Sequence, residues 1–374
     1  MGKAKIICLA TGIFPPDTGG PAKFAETFLK WCQQNGQKVE AVSLTDTATE
    51  DFSFNNSNVK LISRNQFLLT RYITTVIVLS RKLLTQRAVI ANGLFLEVYF
   101  ASLITRRKYI SKVPGDIVWE RAQNSGYTSK SLSEFQNETL NVRYNLFRAL
   151  FSRALKRANK VIVPTWQLQE LCIAWGVRPD KISVIPNSVD TALFSMDSDT
   201  KKHFDVVSVG RLIGLKNIKE VIQVCTELNL SLAVVGDGPE RSDLENIARE
   251  LSSNAVFFGS QDQENVLKLL RSSSCFVLNS SGEGGTPYSL IEARSVGLFS
   301  IATKGTGSAE VINHLVDGLL CGEDGPKLKE ALEIFVRDKH FVYEAQNKAT
   351  IDTRTRFDSK VQFKRILDIV IGDA

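Results

Sequence analysis

The sequence has few of the residues that build metal sites and disulfide frameworks. Its 374 residues include six cysteines and three histidines. No C-x-x-C pair occurs, and the histidines (His203, His314 and His340) are scattered, so neither a zinc site nor a disulfide framework is predicted. We expect the cysteines to be small apolar core residues, as in a protein of the reducing cytoplasm.

Long apolar runs are also missing. The best candidate, residues 67–84, is interrupted by Arg71, Arg81 and Lys82, and no stretch reaches the about 18 apolar residues of a membrane-spanning helix. The apolar run at residues 6–10 is too short for a signal peptide and leads into a loop rich in glycine and proline. We therefore expect a cytoplasmic protein whose first buried strand lies there.

Charge is unevenly distributed along the chain, whose formal net charge is +6. Residues 1–190 contain 25 lysines and arginines against 14 acidic residues, whereas residues 191–374 contain 21 against 26. A basic half joined to an acidic half predicts an anionic partner for the first half.

Short apolar runs alternate with amphipathic stretches, which predicts parallel sheets covered by helices on both faces. At about 100–200 residues per domain, the length predicts two domains. The expected strands are residues 6–10, 39–44, 88–91, 109–113, 161–163, 182–185, 204–209, 232–235, 256–258 and 275–278. The expected helices are residues 21–35, 141–156, 218–228, 241–251, 266–270, 290–296 and 357–371.

A polar, apolar-poor stretch at residues 186–203 is the predicted linker. We accordingly expect a first domain at residues 1–190 and a second at 191–350. The remainder, 351–374, is expected to contain a helix that packs back on the first domain.

Three glycine-containing loops each follow a predicted strand and precede a predicted helix, where ligands bind in open α/β sheets. In the first loop, residues 209–217, Gly210 allows close backbone approach. Arg211 and Lys216 add two cations beside a helix N-terminus, which favours an anion such as a diphosphate. Taken alone, an ordinary turn with two surface cations explains this loop at least as well.

The second loop, residues 235–240, reads Val-Gly-Asp-Gly-Pro-Glu, and Pro239 suits the first position of a helix. Taken alone, it is common turn chemistry.

The third loop, residues 281–293, has three glycines before a predicted helix start at Pro287. Backbone amides and the helix dipole there would hold phosphate oxygens. Glu292 lies about one turn beyond Tyr288, where it would accept hydrogen bonds from vicinal hydroxyls, as acidic residues do for ribose. A solvated helix carboxylate is the alternative interpretation of Glu292.

In this combination and order the loops resemble glycosyltransferase family 4, of the two-domain GT-B architecture. The family pattern is a G-R-L…K element, a G-x-G-P element and an acidic-Gly-x-Pro…Glu-Ala element. Residues 185–190, Ile-Pro-Asn-Ser-Val-Asp, resemble the family's turn before the linker. Residues 15–22, Pro-Pro-Asp-Thr-Gly-Gly-Pro-Ala, resemble its Gly-Gly loop, which faces the interdomain cleft.

The resemblance covers nearly the whole chain and implies two Rossmann-like domains facing each other across a cleft. It further implies a retaining glycosyltransferase that transfers a sugar from a nucleotide-diphosphate sugar to a glycan or lipid-linked glycan acceptor. It implies no metal or other cofactor.

The resemblance also implies residue roles. Arg211 and Lys216 would grip the donor diphosphate and act in catalysis, Glu292 would bind the ribose, and Phe258 lies where the family contacts the base. The residues expected in donor binding are Gly20, Gly210, Arg211, Lys216, Gly238, Phe258, Gly284, Gly285, Thr286, Pro287, Tyr288, Ser289, Leu290 and Glu292.

Two catalytic candidates follow less directly from the family pattern. The family separates its two glutamates by seven residues, whereas Glu283 and Glu292 are separated by eight. With Pro287 in register, the first glutamate position falls on Gly284, and Glu283 remains a candidate for the sugar-hydroxyl contact. Asp116 is the candidate polar group near the acceptor, with a helix N-cap as the alternative.

Other function classes explain less of the sequence. A dinucleotide-dependent oxidoreductase needs G-x-G-x-x-G, and Gly236 and Gly238 begin such a pattern, but Arg241 replaces the third glycine. A non-catalytic basic binding module, such as a nucleic-acid binder, leaves the three loops unexplained, so we expect no nucleic acid. A D-x-D metal motif occurs at residues 197–199, but it lies in the polar linker.

The basic first half predicts docking on an anionic membrane surface. Residues 60–160 contain 18 lysines and arginines against five acidic residues. Two segments, residues 67–73 and 143–160, combine charge with apolar residues. In the second, helical spacing predicts one apolar stripe of an interfacial helix, formed by Leu146, Phe147, Leu150, Phe151 and Leu155. The alternative is that this stripe belongs to the core.

Overall fold

The computed structural model describes residues 6–46, 52–54, 56–128, 130–197, 200–282, 284–305, 307–322, 325 and 327–372, except the side chain of Ser133. The chain forms two compact units. Unit 1 comprises Met1–Ile185 with Lys360–Ala374, and unit 2 comprises Pro186–Ser359. The chain therefore passes into unit 2 after residue 185, where the predicted linker at residues 186–203 begins, and returns after residue 359. The domain limits expected from the sequence are residues 190 and 350.

Unit 1 is built on an eight-stranded sheet of order β3-β4-β2-β1-β5-β6-β7-β8. All neighbouring strands are parallel except β3, which pairs antiparallel with β4 at the sheet edge. The strands are β1 (Ile7–Thr11), β2 (Val39–Thr45), β3 (Phe52–Phe54), β4 (Ser57–Ser63), β5 (Ala88–Asn92), β6 (Ile110–Lys112), β7 (Lys160–Val163) and β8 (Ile182–Val184).

Eight helices belong to the described part of unit 1. They are α1 (Gly20–Gln34), α2 (Leu68–Thr85), α3 (Phe95–Thr105), α4 (Ile117–Asn124), α5 (Leu132–Gln136), α6 (Val142–Arg157), α7 (Trp166–Ala174) and, after unit 2, α14 (Ser359–Gly372). Helix α14 packs on α1, where the ring of Phe363 lies 5.5 Å from that of Phe28 and 5.9 Å from that of Trp31.

Unit 2 contains a six-stranded, all-parallel sheet of order β11-β10-β9-β12-β13-β14. Its strands are β9 (Phe204–Val209), β10 (Leu232–Val235), β11 (Ala255–Gly259), β12 (Ser273–Leu278), β13 (Phe299–Thr303) and β14 (Leu319–Cys321). Its helices are α8 (Ile218–Glu227), α9 (Arg241–Glu250), α10 (Gln263–Arg271), α11 (Tyr288–Ser295), α12 (Leu328–Arg337) and α13 (Lys339–Arg356). The prediction of two Rossmann-like α/β sheets is confirmed.

The six cysteines are free and buried, as the scattered spacing predicts. Burial raises the pKa of the Cys32 and Cys225 thiols to about 12, so both are protonated at neutral pH. These cysteines are packing residues of the two cores.

None of the described helices is long and apolar enough to span a membrane. The predicted apolar stripe on α6 is not one exposed surface. Phe151 and Leu155 are fully buried, because α6 packs on α3 and the Phe151 ring lies 5.2 Å from that of Phe95. Leu146, at the other end of α6, is 58% exposed. The stripe is thus core at its C-terminal end.

Candidate functional site

The first glycine loop of unit 2 lies at the carboxyl end of the central strand β9. Gly210 extends the strand, since its N–H donates to the Val235 carbonyl at 2.9 Å. A one-turn 3₁₀ helix, Gly214–Lys216, then leads into α8. The Arg211 side chain is exposed. Lys216 is half-buried, and its side chain lies over Gly210 in a small pocket that Asn279 also lines.

The second glycine loop holds the first in place. The Leu212 N–H donates to the Asp237 carbonyl at 2.9 Å, and the Glu240 N–H donates to the Leu212 carbonyl at 3.2 Å. A Cβ atom on Gly238 would collide with the Leu212 carbonyl oxygen, so only glycine fits. Gly238 therefore supports the first loop through its backbone. Pro239 does not begin the helix as predicted, because α9 starts at Arg241.

The third glycine loop is tied to the turn that carries Lys216. The Ser281 N–H donates to the Leu215 carbonyl at 2.8 Å, so this loop and Lys216 lie at the same edge of the sheet. Gly285 is in backbone contact with Gly307, where a Cβ atom would collide with the Gly285 carbonyl oxygen. Gly284, beside it, is half-buried. Glu283 lies outside the described residues.

Helix α11 begins at the end of this third loop. Pro287 is its N-cap and makes no side-chain capping bond, and no acidic residue occurs in the first turn. The N-cap residue therefore contributes no side-chain acceptor to the first amides of the helix. Together with the helix dipole they form a site that favours an anion.

Glu292 projects from the same helix one turn further on. It is only 3% exposed, so it is not a solvated helix carboxylate. Burial and the nearby Glu292 carboxylate raise the pKa of Tyr288, which keeps its hydroxyl protonated as a hydrogen-bond donor. The buried Arg294 anchors the helix, since its Nη1 donates to the Asp317 carbonyl at 2.9 Å and to Oδ1 of that residue at 3.1 Å.

Two polar contacts of this site were not assigned from the sequence. The Asn187 N–H donates to Thr286 Oγ1 at 2.8 Å, and Asn187 Nδ2 donates to the Thr286 carbonyl at 2.9 Å, just before α11 begins. Asn279 Nδ2 donates to Glu220 Oε2 at 2.8 Å, which joins the end of β12 to α8. Asn187 lies in the turn at residues 185–190 that resembles the family's turn, and this resemblance could have indicated a role for it. No sequence motif includes Asn279.

Two donor candidates belong to other elements. Phe258, on β11, is half-buried and packs edge-on against Phe204 with ring centroids 5.7 Å apart. Gly20 is the exposed first residue of α1 in unit 1. Within the described ranges, no three His, Cys, Asp or Glu side chains come together as a set of metal ligands.

Asp116 occupies the position of a helix N-cap. Its Oδ1 accepts hydrogen bonds from the Val118 and Trp119 amides at 2.9 and 3.2 Å, and its Oδ2 accepts one from Gln136 Nε2 at 2.8 Å. Burial raises the pKa of this fully buried carboxyl, while these hydrogen bonds act in the opposite direction. The geometry is that of the N-cap alternative.

Two family profiles match this chain. The profile described as "Glycosyltransferase Family 4" matches residues 122–193, and that described as "Glycosyl transferases group 1" matches residues 194–355. The second range contains all three glycine loops of unit 2.

Two curated relatives and one solved structure illustrate the similarity. A human component of phosphatidylinositol N-acetylglucosaminyltransferase is 24% identical over 344 residues, 87% of this chain and 67% of the relative. The lipopolysaccharide core biosynthesis glycosyltransferase LpsD of Rhizobium meliloti is 33% identical over 172 residues, 44% of this chain and 49% of LpsD. This match spans about half of LpsD.

The Anabaena protein HepE, solved in complex with UDP and with UDP-glucose, has the same fold. The TM-scores are 0.76 and 0.77, at 18% and 17% sequence identity, and each match covers 98% of this chain and 100% of HepE.

Proposed function

Because the chain belongs to the group 1 glycosyltransferases of family 4, we propose that it transfers a sugar from a UDP-sugar to a glycan or lipid-linked glycan acceptor. One observation carries the donor half of this proposal. The loop that carries Gly210 and Lys216 is joined to the start of the glycine loop before α11 by the hydrogen bond from the Ser281 N–H to the Leu215 carbonyl, at one edge of the unit 2 sheet. The UDP and UDP-glucose bound to HepE support uracil as the base of the donor.

Each polar group at this edge has a role in the proposed reaction. Arg211, Lys216 and the first amides of α11 bind the diphosphate and stabilise the negative charge that grows on it as the sugar leaves. Glu292 accepts hydrogen bonds from the ribose hydroxyls. Asn187 fixes Thr286, and with it the peptide at the helix start.

The proposed chemistry retains the anomeric configuration. The acceptor oxygen attacks the anomeric carbon from the face that the diphosphate leaves. The bond from that carbon to the phosphate oxygen breaks as the new glycosidic bond forms, and the acceptor proton passes to the departing phosphate. The protein supplies positioning and charge stabilisation in this scheme, and no base in unit 1 is required.

The proposed class of acceptor is inferred from the names of the relatives. One belongs to a phosphatidylinositol N-acetylglucosaminyltransferase and the other is a lipopolysaccharide core glycosyltransferase, so both names point to acceptors on lipids or surface glycans.

A panel of nucleotide sugars tests the proposal. We expect slow hydrolysis of at least one UDP-sugar, measured as UDP release, and we expect it to persist in excess EDTA because Arg211, Lys216 and the α11 dipole replace a metal. Nuclear magnetic resonance of the first sugar released should show the anomeric configuration of the donor. Inverted product, or activity lost in EDTA and restored by Mg²⁺ or Mn²⁺, would contradict this mechanism.

We also propose that unit 1 docks on an anionic membrane surface. The outward face of α2 exposes Leu69, Ile73 and Ile77, which are spaced one turn apart and are 61%, 49% and 48% exposed. Leu103 and Ile104, at the end of the adjacent α3, are 44% and 70% exposed. Arg106 and Arg107 follow after Thr105, and each cation near an anionic surface contributes about 1 kcal/mol.

Liposome co-sedimentation tests this docking. Binding should require anionic lipid and should weaken as salt rises from about 0.05 to about 0.5 M, since salt screens surface charge. The double variant Ile73→Glu/Ile77→Glu should bind several-fold less. The matched control Ile351→Glu, at a 69% exposed position of unit 2, should bind normally. A wild-type protein that stays in the supernatant with anionic vesicles at low salt would exclude membrane docking.

A further inference from the structure

Two segments of unit 2 meet at the edge of the sheet where the donor site is proposed. Residues 214–220 form the 3₁₀ turn that carries Lys216 and the start of α8, and residues 279–282 lead from β12 towards the glycine loop before α11. They follow the neighbouring strands β9 and β12. The backbone bond from Ser281 to Leu215 is one link between these segments. A second link runs through side chains.

The Asn279 side chain forms the centre of this second link. Its Nδ2 donates to Glu220 Oε2 at 2.8 Å and lies 3.4 Å from the Asn217 carbonyl oxygen. Its Oδ1 accepts a hydrogen bond from Thr303 Oγ1, at the end of β13, at 3.0 Å. Because the two ends of the amide are bound to different elements, its orientation is fixed, with the NH₂ group towards α8 and the oxygen towards β13.

The Glu220 carboxylate receives a further hydrogen bond. Its Oε2 also accepts from Asn217 Nδ2 at 2.5 Å. Glu220 is half-buried, and hydrogen bonds to an ionised carboxylate are stronger than those between neutral groups. The four side chains therefore form one continuous chain from β13 to the residue after Lys216. We call these four residues the clasp: Thr303, Asn279, Glu220 and Asn217.

Asn217 is the member of the clasp that directly follows Lys216. It separates the 3₁₀ turn from α8 and has a φ of +45°, in the left-handed region that costs most residues other than glycine roughly 1–2 kcal/mol. Asparagine adopts this region more easily, because its short polar side chain forms local hydrogen bonds. Here the side chain is bound to Glu220. The clasp thus stabilises the backbone conformation from which the Lys216 side chain projects.

Lys216 also lies beside the clasp in space. It lines the same small pocket at the end of β9 as Asn279, and its aliphatic carbons lie over Gly210. A displacement of about 1 Å in a group that acts on the substrate can lower the rate about 100-fold. A change in the clasp is therefore expected to affect the reaction through Lys216.

We propose that Glu220 and Asn279 are positioning residues for Lys216. This inference rests on the proposed function, because Lys216 binds the donor diphosphate there. The two residues act through their hydrogen bonds. They keep the 3₁₀ turn in its conformation and at a fixed distance from the segment that leads to α11.

Reversing the polarity of the central hydrogen bond tests this inference. Asn279→Asp replaces the NH₂ group by an oxygen of similar size and places a second carboxylate against Glu220. We expect its kcat for UDP-sugar turnover to fall roughly tenfold or more, and its affinity for UDP, measured by calorimetry, to fall about threefold or more.

The double variant Glu220→Gln/Asn279→Asp restores the pair with donor and acceptor exchanged. The new glutamine amide donates to the new carboxylate, which still accepts from Thr303, while the glutamine oxygen still accepts from Asn217. The net charge is that of Asn279 and Glu220 in the wild type. We expect kcat and UDP affinity to return to within about threefold of the wild type, as coupling between residues in contact predicts.

The control variant is Glu227→Gln, on the same helix as Glu220. It removes the charge of an exposed carboxylate that pairs with Lys329 at 2.8 Å, and turnover should stay within about twofold of wild type. Melting temperatures and circular dichroism establish that every variant is folded at the assay temperature. Wild-type turnover and UDP affinity in Asn279→Asp would overturn the inference. A double variant as impaired as Asn279→Asp alone would overturn it too, whatever its melting temperature.

The two measurements separate this inference from the proposed function. If the wild type binds UDP but turns over no UDP-sugar, the transferase reaction is contradicted. A loss of UDP affinity in Asn279→Asp that the double variant reverses would then still support the clasp. If the wild type turns over a UDP-sugar and Asn279→Asp does so equally well, the inference alone fails. A wild type that binds no UDP overturns both.

Discussion

Arg211→Ala and Lys216→Ala are each expected to lower kcat about 100- to 1,000-fold with the fold intact, which corresponds to about 3–4 kcal/mol of transition-state stabilisation. Both cations oppose the charge that develops on the leaving diphosphate, and neither supports the unit 2 core. Arg211 is exposed, and Lys216 lies over Gly210 at the end of β9. Donor turnover measured as UDP release gives the effect.

The control for this pair is Lys219→Ala, which removes an exposed cation from the first turn of α8, three residues beyond Lys216. Its activity should stay within about twofold of wild type, because a solvent-exposed charge at that distance is largely screened. If both Arg211→Ala and Lys216→Ala had near-normal turnover at an unchanged melting temperature, the donor would not bind at this edge of the sheet.

Asp317→Ala should destabilise unit 2 by about 3–5 kcal/mol, since it leaves the buried Arg294 guanidinium without its main partner. Arg294 is fully buried, and Asp317 also accepts hydrogen bonds from the Asn313 amide at 2.9 Å and from Asn313 Nδ2 at 2.6 Å. The second carboxylate near Arg294, that of Asp352, is more distant at 3.6 Å. At about 2–4 °C per kcal/mol, calorimetry should show a melting temperature lower by about 10 °C.

Two further variants decide whether the buried charge causes this loss. Arg294→Met/Asp317→Ala should be more stable than Asp317→Ala alone, because no unpaired charge remains in the core. Glu344→Ala removes an exposed carboxylate that pairs with Lys348 one turn away and should cost no more than about 1 kcal/mol. A double variant no more stable than the single one would assign the loss to the hydrogen bonds of Asn313 instead.

The sequence predicts most of the central strands because they are buried on both faces. Strand β10 is a continuous apolar run, and β1 and β5 are apolar except for their last residues, so the sequence pattern identifies them directly. Strand β4 was missed, since its burial is interrupted at Asn58, Lys60 and Leu61. Helix α13 was missed as well, because a helix with charged residues in every turn lacks a clear apolar stripe.

In the candidate site, too, local sequence patterns could be found and contacts between distant residues could not. The loops could be found because phosphate binding requires glycines and cations at strand ends, which is a local pattern. Asn279 and Glu220 could not be found, since they are 59 residues apart and meet only through the parallel pairing of β9 with β12. At Asp116 the sequence pattern is visible but is compatible with two roles. An acidic residue between a strand and a helix is a plausible acid or a plausible cap in sequence, and only its hydrogen bonds distinguish the two.

The return of the chain to unit 1 sets the order in which the two units are completed during synthesis. Residues 186–359, which make up unit 2, leave the ribosome before residues 360–372 of α14. The unit 1 core includes Phe363, Ile366 and Val370 of α14, so it stays open until that helix is made. The nascent unit 1 therefore presents the apolar face of α1, including Phe24 and Phe28, throughout the translation of unit 2. Although its strands are made first, unit 1 is the later of the two to have its whole chain synthesised.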